Sequence, residues 1–372
     1  MTAVQIVIRD PFFPHSEIAS VRPVGLQYGF MLHRPAKASF AIWRSDLNRV
    51  NAFDLGMLIS IERSDKVLPW VGYVKERRLT GAGAMGTFEA EDIAGTLFSI
   101  AVTAKDWEKR EDVASGFLIT EVFGEAAARA EPPLQLDLPI SGGPPVSYQV
   151  RSESLLSFLR TLEKWTNWEW GLEHQIASDR VRTKLIWTQR IGFDRVSEIF
   201  EEGSSVKAIS FTQSARGYIA RAVAVGGSGV FAVRDAETVS LSGKGYGNAN
   251  AHVLGTSFSP KVASSPALQG TQVVVDTRVT NREAQLNAAV RLHAAPEEVR
   301  EQLEMTLVES RIQMSKLELG SRYRVRFKDL GFGLGLQRVI RIVSLSLDLS
   351  GEVQVVAEVL QGRSDLEETR QE

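Results

Sequence analysis

The 372-residue chain contains no cysteine. That excludes a disulfide framework, a thiolate zinc site and a cysteine nucleophile. It also lacks any run near the ~18–20 apolar residues that a membrane-spanning helix needs, and Val4, Ile6 and Ile8 alternate at the start as a strand would, not as a signal peptide. These features predict a soluble chain made in the cytoplasm, without stable membrane insertion. An excess of one charge is missing too: 43 basic and 45 acidic residues leave a formal net charge of −2. There is thus no global basic footprint of the kind that phosphate-backbone binding requires. The basic group Lys75, Arg77 and Arg78 alternates with Glu76 and reads as a solvated strand face.

Catalytic and cofactor signatures are absent as well. The five histidines, His15, His33, His174, His252 and His293, never stand at the close spacings that let two imidazoles share a metal. Gly331, Gly333 and Gly335 follow G-x-G-x-G where a dinucleotide loop needs G-x-G-x-x-G before a helix. Gly243 to Gly247 lacks the phosphate-loop spacing, and no G-x-S-x-G elbow occurs. Acid pairs such as Glu201 and Glu202 are abundant, so coincidence explains them as well as glycosidase chemistry does. The reading is of no enzyme, no cofactor and no metal.

What is present is a succession of strands. A length of 372 residues suggests two or three folding units, and 44% hydrophobic with 24% charged residues is a globular composition. Phe40, Ile42 and Leu47 fall in extended runs, Gly56 marks a turn, and Trp70, Gly72 and Val74 alternate before a short strand at Thr87 to Ala90. Short strands at close spacing with glycine punctuation argue a small antiparallel barrel or sandwich. Asp92 reads as a turn residue after Phe88.

Leu118, Val122 and Ala126 recur at helical spacing within Phe117 to Arg129, and the Pro/Gly-rich stretch from Glu131 to Val146 reads as an irregular linker. Ser152 is expected to cap a helix whose apolar face carries Leu155, Phe158, Leu159, Leu162 and Trp165, with Asn167 ending it. Trp168 to Glu173 and Arg182 to Thr188 then form a hairpin, in which Trp168 and Trp170 pack against that helix in preference to stacking on a sugar or base.

Strands resume from Val206. A polar excursion from Leu241 to Gly270 follows, and its exposed-looking Lys244, Tyr246 and Phe258 mark a protein-interface segment. Thr280 and Glu283 match a capping box for a helix over 281–293. Leu303, Met305 and Leu307 alternate as a half-buried strand, and Tyr323 to Phe327, Arg338 to Leu347 and Gly351 to Val359 close the set.

The fold class is therefore mainly β with an α+β middle: two small antiparallel barrel-like modules linked by a helix-plus-hairpin unit. The divisions are 1–105 for the first strand module, 106–150 for a helix and linker, 151–203 for the α+β unit, 204–362 for the second strand module and 363–372 for a charged tail. No tandem repeat at one fixed period occurs, although two strand modules can share a fold without sharing sequence.

In order and local texture the chain resembles the tail hub (baseplate hub or tail-associated) proteins of tailed bacteriophages. The resemblance runs through Phe40 to Ile42, Gly56 with Ile59 and Ile61, the W-x-G of Trp70 to Gly72, then Phe88, Asp92 and Leu97. It continues through the helix leading into Trp168 to Gly171, the strand pair between Ser204 and Gly227, the helix with Asn281, Glu283, Ala284 and Ala288, then Leu319, Gly320, Tyr323 and Val325, and the closing Val353, Val355 and Val359. It implies a homotrimer whose chains each give two barrel-like domains to a pseudo-sixfold ring in the virion tail tip. That ring joins the sixfold tail tube or distal tail ring to threefold tip proteins and lets DNA through without specific binding. The implied partners are the distal tail protein, the tape measure protein, and tip or fibre proteins. Larger relatives carry C-terminal receptor-binding or wall-cleaving extensions, so those tasks are expected of other proteins here. Two further readings stand beside this one: a carbohydrate-binding or glycan-active β protein using the tryptophans and acids, and the hub of a gene transfer agent or related injection device.

Overall fold

The computed structural model describes residues 3–12, 14–50, 53–79, 84–97, 100–102, 109–129, 136–138, 142–149, 153–177, 180–214, 221–226, 231–235, 271–276, 300–327 and 336–360. The 241–270 excursion with Lys244, Tyr246 and Phe258, the 281–293 helix and the Gly331 to Gly335 stretch all lie outside these residues.

The first strand set comprises β1 (Val4–Arg9), β2 (Glu17–Val21), β3 (Gly25–Met31), β4 (Lys37–Trp43), β5 (Leu58–Arg63), β6 (Trp70–Leu79) and β7 (Met85–Asp92), with helices α1 (Arg44–Val50) and α2 (Ile93–Leu97). Its spatial order is β3-β4-β7-β6-β5-β1-β2, antiparallel throughout. Laid flat, seven strands would put the ends of this path ~29 Å apart at the usual spacing. Yet β2 and β3 are joined by Arg22–Val24 alone, a link that reaches at most ~14 Å, so the set must curl. Leu26, Tyr28, Phe40, Ile42, Ile59, Ile61, Trp70, Val74 and Phe88 fill its inside. Leu47 lies in α1, not in a strand: the helix starting at Arg44 turns it back onto that core, where it packs half-buried.

The middle unit contains β8 (Ala101–Val102), β9 (Lys109–Ala114), α3 (Ser115–Arg129), β10 (Leu136–Asp137), β11 (Pro145–Gln149), β12 (Glu153–Ser154), α4 (Leu155–Thr166), β13 (Glu169–Ile176) and β14 (Val181–Thr188). The cap of α4 is Ser154, which accepts from the Ser157 amide at 3.1 Å, two residues beyond the predicted Ser152. Ser154 is also the last residue of the short strand β12, whose pairing with β8 keeps the chain extended up to that point. Asn167 ends α4 in the left-handed conformation (φ 58°), and its amide reaches Glu163 O. The Pro/Gly stretch is less irregular than its composition predicts. Pro145 opens β11, which pairs with β9, because proline is tolerated as the first residue of a strand.

The second set comprises β15 (Asp194–Glu201), β16 (Val206–Ser214), β17 (Arg221–Gly226), β18 (Phe231–Asp235), β19 (Thr271–Asp276), β20 (Arg300–Val308), β21 (Arg322–Phe327), β22 (Leu336–Asp348) and β23 (Glu352–Leu360). β17, β18 and β19 form a sheet of their own. The rest run β16-β20-β23-β22-β21-β15. Here too the ends of the path, β15 and β16, are consecutive in the chain.

Numbering each set in chain order, and leaving out β2, gives the same spatial order twice: second, third, sixth, fifth, fourth, first. The extra strand β2 reverses the direction in which the first strand runs. Accordingly β1 is antiparallel to β5, whereas β15 is parallel to its counterpart β21. The fifth strands share an irregularity as well. The register of β6 against β7 shifts between Val74 and Glu76, and that of β22 against β23 shifts between Ile342 and Ser344.

The two sets are hydrogen-bonded into one sheet. Beyond its bulge, β22 leaves β21 and pairs antiparallel with β3, Ser344 opposite Met31 through Asp348 opposite Gln27. One hydrophobic core runs through both sets, from Ile6 to Val359. A second core belongs to the middle unit, where Phe123, Tyr148, Phe158, Leu162, Trp165 and Trp170 pack with Leu58 and Val71. β5 and the first half of β6, from Trp70 to Val74, thus bury both faces.

Candidate functional site

Among the described residues no group of three or more His, Asp or Glu side chains converges as a metal site. His15 faces Asp10 O at 3.0 Å, His174 pairs with Thr183 Oγ1 at 3.1 Å, and His33 Nδ1 meets Glu163 Oε1 at 2.7 Å. His252 and His293 lie outside the described residues. One carboxyl group is pushed up to about 7, that of Asp92, by burial acting against its backbone hydrogen bonds. Those bonds explain its position: it accepts from the amides of Ala36 (2.8 Å) and Gly95 (3.0 Å), closing the start of α2. The tryptophans expected to pack do so. Trp165 and Trp170 are buried, and Trp168 lies half-buried with its ring centroid 6.2 Å from that of Trp187.

The specific chemistry lies instead where the three units meet, and three arginines carry it. Arg9 on β1 joins the first set to the middle unit: it donates to Ser60 Oγ (2.9 Å), Glu62 Oε1 (2.8 Å), His15 O (3.2 Å) and Ala177 O (3.3 Å) at the tip of the β13–β14 hairpin. Arg63 on β5 joins the first set to the second, bonding Asp65 and, across the seam, Glu309. Burial pushes the neighbouring Tyr28 phenol up to about 12 despite the opposing pull of Arg63, so it stays neutral beside that pair.

Arg341 on β22 joins the second set to the middle unit through a two-pronged bond to Glu169 on β13 (2.8 and 2.5 Å), and it also reaches Gly320 O at 3.1 Å. Glu169 accepts from the Ile191 amide at 2.7 Å. Burial disfavours the Glu169 charge, yet the Arg341 bonds and charge outweigh it and hold the carboxyl below its usual value. Planar two-pronged pairs of this kind fix orientation as well as distance. His33, in the β3–β4 turn, completes the node with Nε2 3.9 Å from Glu169.

Among the described residues one sheet face remains uncovered. Across its middle the outward residues of β3, β4, β7, β20, β22 and β23 are mostly small or polar, among them Gln27, Ser39, Thr87, Glu89, Glu304, Thr306, Ser346, Asp348, Gln354 and Glu358, while Met31, Trp43 and Met85 stand exposed at the strand ends. An open groove of about 510 Å³ runs over part of it, lined by Gln27, Ser39, Glu76, Arg78, Thr87 and Glu89 among others. Protein interface cores are rich in aromatics and poor in charge. The middle of this face is the reverse.

Solved tail proteins superpose on this fold along nearly their whole length. The chain has the fold of phage tail proteins. The 43 kDa tail protein of prophage MuSo2 from Shewanella oneidensis superposes with a TM-score of 0.63 at 11% identity, covering 97% of this chain and 98% of that one. A tail protein from Neisseria meningitidis MC58 gives 0.60 at 11% identity with 96% of each chain covered. Prophage tail protein gp18 from Listeria monocytogenes EGD-e gives 0.56 at 11% identity, covering 98% of this chain and 96% of that one. No family model matches the sequence, and neither does any curated protein. The likeness lies in the fold, where the resemblance read from strand order and the mainly β class are both met.

The arginines were not visible as a site in the sequence. Their only signal is a charge inside an otherwise apolar strand, as with Arg341 between Ile340 and Ile342.

Proposed function

We propose that the chain is the structural hub of a phage tail tip: a homotrimer forming a pseudo-sixfold ring that joins the sixfold tail tube or distal tail ring to threefold tip proteins and conducts DNA. The observation that carries this is the strand order repeated within one chain. Two like units per chain, three chains, make six. That number meets a sixfold ring on one side while the chains themselves keep threefold symmetry on the other.

The rest of the molecule suits the role. The arginine clamps set the angle between units, which a ring needs in order to close. Across its middle the uncovered sheet face bears Glu89, Glu304, Asp348 and Glu358, with Lys37 and Trp43 at the ends of β4 and Arg78 in the groove. Facing the channel, its acidic middle supplies few phosphate contacts to retard a passing duplex. The work is assembly and conduction without bond chemistry, in a virion or in the related particle of a gene transfer agent, and assembly takes place in the bacterial cytoplasm. The segment 241–270, with Lys244, Tyr246 and Phe258 among glycine and serine, contacts a neighbouring tail protein; the distal tail protein, the tape measure protein and tip or fibre proteins are its candidates. Cryo-electron microscopy of the particle tests all of this at once. Three copies around the axial channel, with 241–270 against a neighbour, are expected. Another copy number or an off-axis position overturns the hub.

A further inference from the structure

The two strand sets differ in what lies over their fourth strands. In the first set the outward side of β5 is covered by the middle unit, whose core takes in Leu58. The counterpart β21 carries arginines there instead: Tyr323, Val325 and Phe327 point into the core, so Arg322, Arg324 and Arg326 lie on the other face. Arg322 and Arg326 meet carboxylates on β15, Asp194 at 3.6 Å and Glu201 at 3.7 Å. Arg324 does not. Opposite it stand Ile199 on β15, 40% exposed, and the half-buried Val339 on β22. Among the described residues no carboxylate pairs with Arg324, and its Nε is buried without a hydrogen-bond partner. A guanidinium has five N–H donors and no acceptor, so this position calls for a carboxylate from elsewhere.

The same row of residues leads to where the chain can supply one. Val339 lies opposite Leu360, the last residue of β23, so Arg324 is two strands, ~10 Å, from the point where the chain continues into 361–372. Asp365, Glu367 and Glu368 stand together in that continuation, around Leu366. Five residues span up to ~17 Å, enough to bring Asp365 over Arg324. On the other side of Leu360 there is no such match, because the outward residues of β20 and β16 there are Gln302, Glu304 and Thr212.

We propose that the acidic segment 365–368 folds back over β21 of its own chain, with its carboxylates on Arg324 and the arginines beside it and Leu366 against Ile199 and Val339. It covers the outward face of the second set as the middle unit covers that of the first. Guanidinium and carboxylate match in planar, two-pronged pairs. Exposed ion pairs are individually weak, yet a segment tethered a few residues away presents its carboxylates at an effective concentration on the order of millimolar, so even a weak contact is occupied.

The absence of native cysteine makes a direct test available. In the full chain, Ile199→Cys with Leu366→Cys probes the docked segment. Thr212→Cys with Leu366→Cys is the control, since Thr212 lies ~12 Å from Leu360 on one side and Ile199 ~14 Å on the other. Under mild oxidation the Ile199 pair is expected to close about tenfold faster than the control, the gain that a few exposed ion pairs supply, as a disulfide within one chain identified from its linked peptides. High salt should erase the difference. So should Arg324→Gln, and so should Asp365→Asn, Glu367→Gln and Glu368→Gln together, which alter no strand residue. Equal rates for the two pairs, or an advantage untouched by Arg324→Gln, would overturn the docking. Disulfides between chains in place of the internal one would put the segment on a second copy and overturn the folding back. None of these results bears on the hub, which stands or falls on copy number and position in the particle.

Discussion

At the scale of single residues, the buried Arg9 and Arg63 and the half-buried Arg341 decide how the units sit. A desolvated pair that loses one partner leaves a charge without compensation, at a cost of about 3–5 kcal/mol. Arg341→Ala is therefore expected to lower stability by about that amount in urea unfolding. Glu169→Gln supplies the sign of the pH dependence. The folded-state pKa of Glu169 lies below its unfolded value, so its contribution is complete above the ordinary carboxylate range and fades as pH falls through the folded value. The wild type should thus lose more stability than Glu169→Gln on acidification below about pH 4. Equal losses would remove the pair from the account. None of this was legible in the sequence, because a clamp is defined by a partner that lies far away in the chain: Arg341 and Glu169 stand 172 positions apart. The buried Trp165 was legible, since its partners recur every three or four residues along α4.

At the scale of elements, the sequence reads well where pattern and burial are local. The strands near Leu303, Tyr323 and Val353 appear where alternation places them. Boundaries that depend on neighbours are displaced: the cap falls at Ser154 because β12 pairs with β8, and Leu47 joins a helix. One contact between connecting segments is tight enough to test. Gly192 (φ +85°) passes Gly320 (φ +73°) so closely that a Cβ on Gly192 would lie 2.2 Å from the Gly320 carbonyl carbon. Gly192→Ala should destabilise by about 1–3 kcal/mol or more from overpacking, with strained backbone added. Gly203 is the control, since it too has positive φ (+79°) and nothing lies within 4 Å of its Cβ position. Thermal unfolding should show Gly192→Ala clearly worse than Gly203→Ala, and equal midpoints would mean that the crossing yields.

For the whole molecule, two strand sets sharing one core predict a single cooperative unit. A fragment ending at residue 203 keeps the first set yet uncovers the β3 edge and every core side chain that faces the second set. Exposed strand edges beside apolar surface recruit other chains. That fragment is expected to aggregate or to dimerise on size-exclusion chromatography, while the full chain stays dispersed. A monodisperse, fully folded fragment would show that the shared core is dispensable. The repeat of the strand order was invisible in sequence because only topology and the bulges carry it, while side chains at matched positions differ: Phe40 answers to Met305, and Tyr28 to Phe211.

The seam between β3 and β22 also sets a timetable. Met31 finds its partner only when Ser344 has been made. At roughly 5–20 residues per second on the ribosome, that is a wait on the order of 15–60 s. Throughout it, β3 offers an open edge to every other nascent chain nearby. Production in quantity should therefore lean on holding chaperones or on slowed translation, and the protein's yield should be governed by that interval more than by its final stability.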